Sequence, residues 1–244
     1  MKITRAVILT FALACICILS CNSQKSYNAV TVGEMENLIK KGDMSTHISL
    51  QDLASKSDIY AIGSATNLKG FIVIEDGRPY TSFVHGNSVS IDSSWNTEAT
   101  LLVYAQVEEW KEISLPAAVL NWKQLENFVM TSAKNENINA NEPFPFLLKG
   151  TAQKINWRVS DWKENDKEVT NKKVKNSGLK GEASNVHTTI LGFYCTKQYR
   201  VLAEHNTKMH LHFVSNDKTV SGHVDDLTLA GGMTLYLPVE TASK

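Results

Sequence analysis

Apolar and polar residues alternate with changing period along this chain, and the changes mark out its elements. Residues 32–40 carry Val32, Met35, Leu38 and Ile39 at a helical spacing that stops at Lys41-Gly42, which predicts a short helix. Residues 47–54 read as a connecting segment. Residues 59–63 and 71–75 read as strands, and the second ends in the turn signal Asp76-Gly77. Residues 78–84 continue beyond that turn, so 71–84 is expected to be a hairpin. Residues 99–107 alternate less clearly, as a strand buried on both faces does. Asn121 is placed to cap a helix whose packed face is Trp122, Leu125, Phe128, Val129 and Ser132.

That pattern fades over residues 133–141, a polar stretch holding four asparagines, and a lobe boundary is expected there. Residues 144–150, 155–159, 188–195, 208–215, 220–227 and 233–237 follow as strands. Residues 161–182 are rich in lysine, aspartate, glutamate and asparagine and read as an exposed, mobile loop. Many strands and one clear helix predict an α+β fold, two-lobed, with antiparallel or mixed β-sheets and few helices. No fixed-period repeat and no glycine-rich phosphate loop is visible.

The first residues have a different character. Lys2 and Arg5 precede an uncharged apolar run over residues 6–19, which ends Ile18-Leu19-Ser20-Cys21. This has the layout of an export signal. A small residue just before a cysteine resembles the bacterial lipoprotein signal, which implies cleavage before Cys21 and lipidation of its thiol. An ordinary secretory signal and an uncleaved anchor remain open alternatives. The expected organisation is then a signal peptide over 1–20, a polar tether over 21–28, an N-terminal lobe over 29–140 and a C-terminal lobe over 141–244. The expected location is outside the cytoplasm, on a bacterial membrane through the lipid on Cys21.

Composition narrows the partners. The chain has 25 basic and 25 acidic residues, and removal of Lys2 and Arg5 leaves it mildly acidic, which argues against nucleic acid. Cys15 and Cys17 fall in the signal and Cys21 would carry lipid. Cys195 then stands alone, so no disulfide is expected within the mature chain despite its exported location.

The candidate chemistry lies near the C-terminal end. Met209-His210-Leu211-His212-Phe213-Val214-Ser215 and Val220-Ser221-Gly222-His223-Val224 flank the polar turn Asn216-Asp217-Lys218-Thr219. His210 and His212 share a strand face. If the chain turns at Asp217-Lys218, His212 pairs with His223, and directly opposed residues also share a face. Three imidazoles with an open position form the pattern of a catalytic zinc site; the bland alternative is the polar face of an exposed hairpin. Met209, Leu211 and Phe213 mark the packed face, which leaves the histidines to line solvent or a cleft.

The run His210-Leu211-His212-Phe213, then Ser221-Gly222-His223-Val224-x-Asp226, resembles the metal-binding motif of the alpha-acetolactate decarboxylase family. Thr189-Ile190-Leu191-Gly192-Phe193 is similar to the segment that enters that hairpin. Phe144-Pro145-Phe146 through Gly150, with Trp157-Arg158-Val159, resemble the strand pair carrying the family's active-site arginine. Ile62-Gly63-Ser64, Leu68-Lys69-Gly70 and Glu75-Asp76-Gly77 resemble its N-terminal segments. The resemblance implies a Zn2+ held by His210, His212 and His223, with Arg158 as the substrate-positioning cation. It implies decarboxylation of a 2-hydroxy-3-oxo acid, acetolactate to acetoin. A small hydroxy-keto acid and a second copy of the chain in a homodimer are the partners expected besides the membrane.

The chain departs from the resemblance in two places. A glutamate is expected after the Leu-Asp-Gly turn, where this sequence has Phe71, and the preceding aspartate is Lys69. A second glutamate is expected in a C-terminal tail, which this sequence, ending at Lys244 soon after Leu237-Pro238, lacks or shortens. Glu75 lies about 13 Å along the strand from Phe71 at roughly 3.3 Å per residue, too far to replace it. Tyr60, Glu240 and a metal-bound water are the stand-ins left for the proton donor. The alternative function is a catalytically impaired metal- or metabolite-binding lipoprotein on the same scaffold. A hydrolase using zinc-bound hydroxide is a third.

Overall fold

The computed structural model describes residues 27–166, 168–197 and 207–240. The expected signal peptide, the expected lipidation site Cys21 and the rest of the first six tether residues lie outside them. Two β-sheets make up the fold. The first contains β1 (Val30–Val32), β2 (Ile48–Ser49), β3 (Ile59–Ala65), β4 (Phe71–Glu75), β5 (Arg78–His85), β6 (Ser88–Asp92) and β7 (Glu98–Gln106). Its order is β1-β7-β3-β4-β5-β6, with β2 also on β7. The second contains β8 (Trp110–Ser114), β9 (Phe144–Val159), β10 (Leu179–Tyr194), β11 (Met209–Ser215), β12 (Ser221–Leu229) and β13 (Thr234–Pro238). Its order is β10-β11-β12-β9-β13-β8, and β10 pairs with β9 as well, so β9, β10, β11 and β12 close into a ring. Every strand pair among the described residues is antiparallel, which decides between the antiparallel and mixed sheets of the sequence reading. Among the described residues three α-helices accompany them, α1 (Met35–Lys41), α2 (Trp122–Asn135) and α3 (Asn171–Asn176).

The first sheet is apolar on both faces because both are covered. Ile62, Val73 and Val103 join Phe146, Leu148, Leu191 and Phe213 of the second sheet in one core. On the opposite face, Ile59, Ala61, Ile72, Ile74 and Leu102 pack with Leu50 and Leu53. This is why β3 and β4 read as near-continuous apolar runs. In α2, the Asn121 side chain accepts from the Gln124 amide at 3.0 Å, as its position before the apolar face suggests, and Leu125, Val129 and Ala133 are buried.

Two sequence expectations are corrected, and two strands were not anticipated. Residues 144–150 and 155–159 belong to one strand, because Gly150 adopts φ +138° and carries the chain through without a break. A Cβ there would stand 3.0 Å from Met233. Residues 161–182 are not a plain loop: they hold α3 and the first residues of β10. Trp162 and Val169 are buried with Leu38 and Leu68 in a third cluster. Two hydrogen bonds fix Trp162, one from its amide to the Leu68 carbonyl at 3.2 Å and one from Nε1 to the Asp166 carbonyl at 3.0 Å. Lys69 Nζ meets Asp161 at 3.0 Å beside them. Finally, β6 and β8 carry little apolar signal, being edge strands with mostly polar residues.

Candidate metal centre

The histidine hairpin has the register its sequence suggests. In β11 and β12, His212 pairs with His223, Phe213 with Gly222 and Val214 with Ser221. The turn is tied by Asp217, whose carboxylate accepts from Ser215 Oγ at 2.6 Å, the Thr219 amide at 3.1 Å and Thr219 Oγ1 at 2.8 Å. Those donors, Ser215 first, hold the Asp217 carboxyl below its usual range. Gly222 lets β12 approach β9, since a Cβ there would lie 2.6 Å from the Arg158 carbonyl oxygen.

His210, His212 and His223 converge. Their ring centroids are 4.9 Å (His210–His212), 5.1 Å (His210–His223) and 5.4 Å (His212–His223) apart, and their available ligand atoms all lie within 4.8 Å of one another. His210 and His223 are half-buried and line a cleft of about 890 Å³ together with Phe71 and Arg158. His212 departs from the expectation of a face open to solvent or cleft. It is fully buried because β4 of the other sheet covers it.

That cover sets the chemistry of His212. Its Nδ1 lies 2.8 Å from the Ile72 carbonyl oxygen. A carbonyl only accepts, so Nδ1 carries the proton and Nε2 keeps its lone pair. Nε2 in turn stands 3.2 Å from His210 Nε2. Two nitrogens each 2.0–2.1 Å from a tetrahedral ion would be about 3.3 Å apart. Burial, then the neighbouring His210, holds the His212 pKa well below that of free histidine, against the opposing pull of the Ile72 hydrogen bond. Burial, then Arg158, does the same to His223. Both are thus neutral near pH 7, the form that ligates a metal. His223 Nδ1 is buried with no hydrogen-bond partner among the described residues. An all-imidazole donor set with paired lone-pair nitrogens fits a divalent ion of the zinc type.

Arg158 lies on β9 as the direct cross-strand neighbour of His223. It is 4% exposed. Its guanidinium stands 5.8 Å from the centre of the Phe71 ring, and Nη1 is ion-paired with Asp225 Oδ1. Phe71 occupies the space between: its ring is 5.0 Å from that of His212 and 5.5 Å from that of His223. The structure therefore gathers all four expected site residues on adjacent strands and puts an aromatic ring where a carboxylate was expected.

Tyr60 and Glu240, the side-chain stand-ins, do not gather at the centre, and neither does Glu75. Tyr60 is buried edge-on against Trp110, 4.9 Å between ring centroids, and burial pushes its phenol up to about 12. Glu75 is committed elsewhere: it accepts from Thr189 Oγ1 at 3.0 Å and pairs with Lys149 at 3.0 Å and Lys218 at 3.8 Å. Glu240 is exposed, next to Val239, whose amide bonds the Glu109 carbonyl. None of these three lines the cleft. The carboxylate that does reach Arg158, Asp225, was missed from sequence. It sits at a bulge in β12, where the register shifts between Val224 and Asp226, and strand alternation alone gives no sign of a bulge.

Comparison with known proteins follows the same lines. The family model described as alpha-acetolactate decarboxylase matches residues 31–241. No curated protein matches the chain. Among solved structures, acetolactate decarboxylase from Bacillus subtilis subspecies spizizenii is 18% identical with a TM-score of 0.71, over 88% of this chain and 87% of that one. The alpha-acetolactate decarboxylase of Bacillus subtilis strain 168 is 17% identical with a TM-score of 0.70, over 88% and 86%. A Staphylococcus aureus protein of unknown function, similar to alpha-acetolactate decarboxylase, is 14% identical with a TM-score of 0.67, over 87% and 85%. At these identities the likeness shows a shared fold.

Proposed function

The chain belongs to the alpha-acetolactate decarboxylase family, and from that premise we propose that it is a zinc-dependent lyase that decarboxylates a 2-hydroxy-3-oxo acid, with acetolactate to acetoin and CO2 as the reference reaction. The observation that carries this reading is the convergence of three imidazoles beside a buried arginine. His210, His212 and His223 are the proposed ligands and Arg158 the proposed carboxylate-binding group. Bound there, the ion would supply Lewis acidity for the charge left when CO2 departs. Arg158 presents a planar, permanently charged fork suited to a carboxylate, and its burial strengthens that contact by excluding water. His212, pinned by the Ile72 carbonyl, fixes the ligand geometry before substrate arrives. Phe71 closes the wall between the arginine and the imidazoles and offers no proton, so the proton that completes the product comes from water entering the cleft or from a group outside the predicted set.

One observation favours a second reading. With Phe71 beside the histidines, the scaffold also suits a protein that binds metal or a hydroxy-keto acid without turnover. The export signal and Cys21 support placing either activity on the outer side of a bacterial membrane. Both readings are tested by removing residues 1–21, measuring bound metal, and assaying acetoin formation from acetolactate. Metal with acetoin supports the lyase; metal without acetoin supports the binding protein; no metal removes the zinc-dependent lyase and the metal-binding form of the second reading.

A further inference from the structure

Asp225 is an acidic side chain that contacts both Arg158 and His223, and its place follows from a backbone irregularity. Val224 pairs with Trp157 and Asp226 with Asn156, so Asp225 is the extra residue of a bulge, and a bulge re-aims its side chain. One oxygen serves two neighbours: Oδ1 pairs with Arg158 Nη1 and lies 3.4 Å from His223 Nδ1, an electrostatic contact not aligned as a hydrogen bond. The Arg158 side chain is 5% exposed and that of His223 12%. A buried guanidinium requires a counter-charge, and the aromatic ring of Phe71 does not provide one.

His212 and His223 can be compared nitrogen by nitrogen. His212 turns Nδ1 to an acceptor, the Ile72 carbonyl, and keeps Nε2 for the centre. His223 has Nδ1 3.4 Å from the Asp225 carboxylate, and a proton on that nitrogen would leave Nε2 as the lone-pair atom. We propose that Asp225 is the positioning residue of this site: it holds the Arg158 guanidinium at the cleft and fixes His223 in the Nδ1–H tautomer with Nε2 free to ligate. Such a carboxylate–imidazole contact orients a ligand and raises its basicity. The metal-affinity part rests on the reading of the histidines as ligands; the tautomer part does not.

The test uses Asp225→Leu, which removes the acceptor, and Asp225→Asn, which has the same shape and keeps one. Histidine side-chain nitrogen NMR on the metal-free protein reads the tautomer, and titration with cobalt(II) reads affinity and the absorption of the bound ion. In the unaltered protein His223 is expected as Nδ1–H. In Asp225→Leu that preference is lost and cobalt(II) binds about tenfold or more weakly with an altered spectrum, while Asp225→Asn recovers part of both. If His223 keeps the same tautomer in all three proteins, or is Nε2–H in the unaltered one, the proposal is overturned. If the unaltered protein binds no cobalt(II) while the tautomer still depends on Asp225, the positioning role stands and the metal reading falls. Should Asp225→Leu fail to fold, Asp225→Asn together with the tautomer of the unaltered protein decides the matter.

Discussion

The ring of Phe71 stands edge-on to the imidazole of His212, 5.0 Å between centroids and 71° between planes. An aromatic edge against an imidazole stabilises packing but cannot move a proton. Phe71→Glu would place a carboxyl at this point, with Arg158 already 5.8 Å from the ring it replaces. If proton delivery limits turnover, Phe71→Glu raises the rate of acetoin formation by about 100-fold or more, while Phe71→Leu leaves it unchanged. Equal rates in all three proteins would show that the missing carboxylate is not what limits the reaction.

His212 joins the two sheets as well as facing the centre. His212→Ala leaves the Ile72 carbonyl without its donor and opens a cavity where the ring was fully buried. The expected cost is about 2–4 kcal/mol, from the unpaired acceptor and the lost packing, read as a lower urea midpoint. Bound zinc, measured by elemental analysis, should fall to background. His210→Ala, at a half-buried position, should lose zinc with a smaller loss of stability.

The lowered pKa values of His212 and His223 fix the sign of an acid effect. In the metal-free protein both stay neutral after unfolded-state histidine, at about 6.5, has begun to take up protons. Below that pH the unfolded chain binds more protons than the folded one, so stability falls as pH falls. Each histidine contributes up to about 1.4 kcal/mol per pH unit. The melting temperature of the metal-free protein should therefore decline from pH 7 to pH 5, above the range where the depressed carboxyls of Asp43, Asp166 and Asp217 titrate. A flat profile would contradict the burial of these rings.

Arg158→Lys keeps the charge and loses the planar fork. For the proposed lyase this should raise KM by about tenfold or more, with a smaller change in kcat, in steady-state assays over a range of acetolactate concentrations.

Trp162 tests the corrected segment. It is 3% exposed, packed in the cluster with Leu38, Leu68 and Val169. Trp162→Ala should cost about 3–5 kcal/mol, seen as a reduced urea midpoint. A surface loop over residues 161–182 would predict almost no change.

The site was legible where its logic is local. A polar turn between two strand-like runs, with period-two spacing, was enough to oppose His212 to His223, because a one-residue slip would have turned the histidines to the other face. The cap at Asn121 was readable for the same reason. What escaped depends on distant parts of the chain. Nothing in residues 209–215 announces that β4 will cover His212, or that Ile72 will supply its acceptor. The charges of residues 161–182 hid a buried tryptophan and the start of β10, because β10 is polar along the part that pairs with β9 beyond the core. Asp225 escaped because a bulge is set by pairing register, which leaves no mark on composition.

The ring of β9, β10, β11 and β12 also bears on how the molecule is made. The contacts between consecutive strands, β9 with β10, β10 with β11 and β11 with β12, can form early, but Arg158 meets His223 only when β12 closes back onto β9. His212 meets the Ile72 carbonyl only when the other sheet arrives from 140 residues away. Contacts of such long range form slowly, since their loop closure must be met before they stabilise anything. A centre that waits on such contacts would be completed late, and a bound metal ion would then report that the two sheets had met.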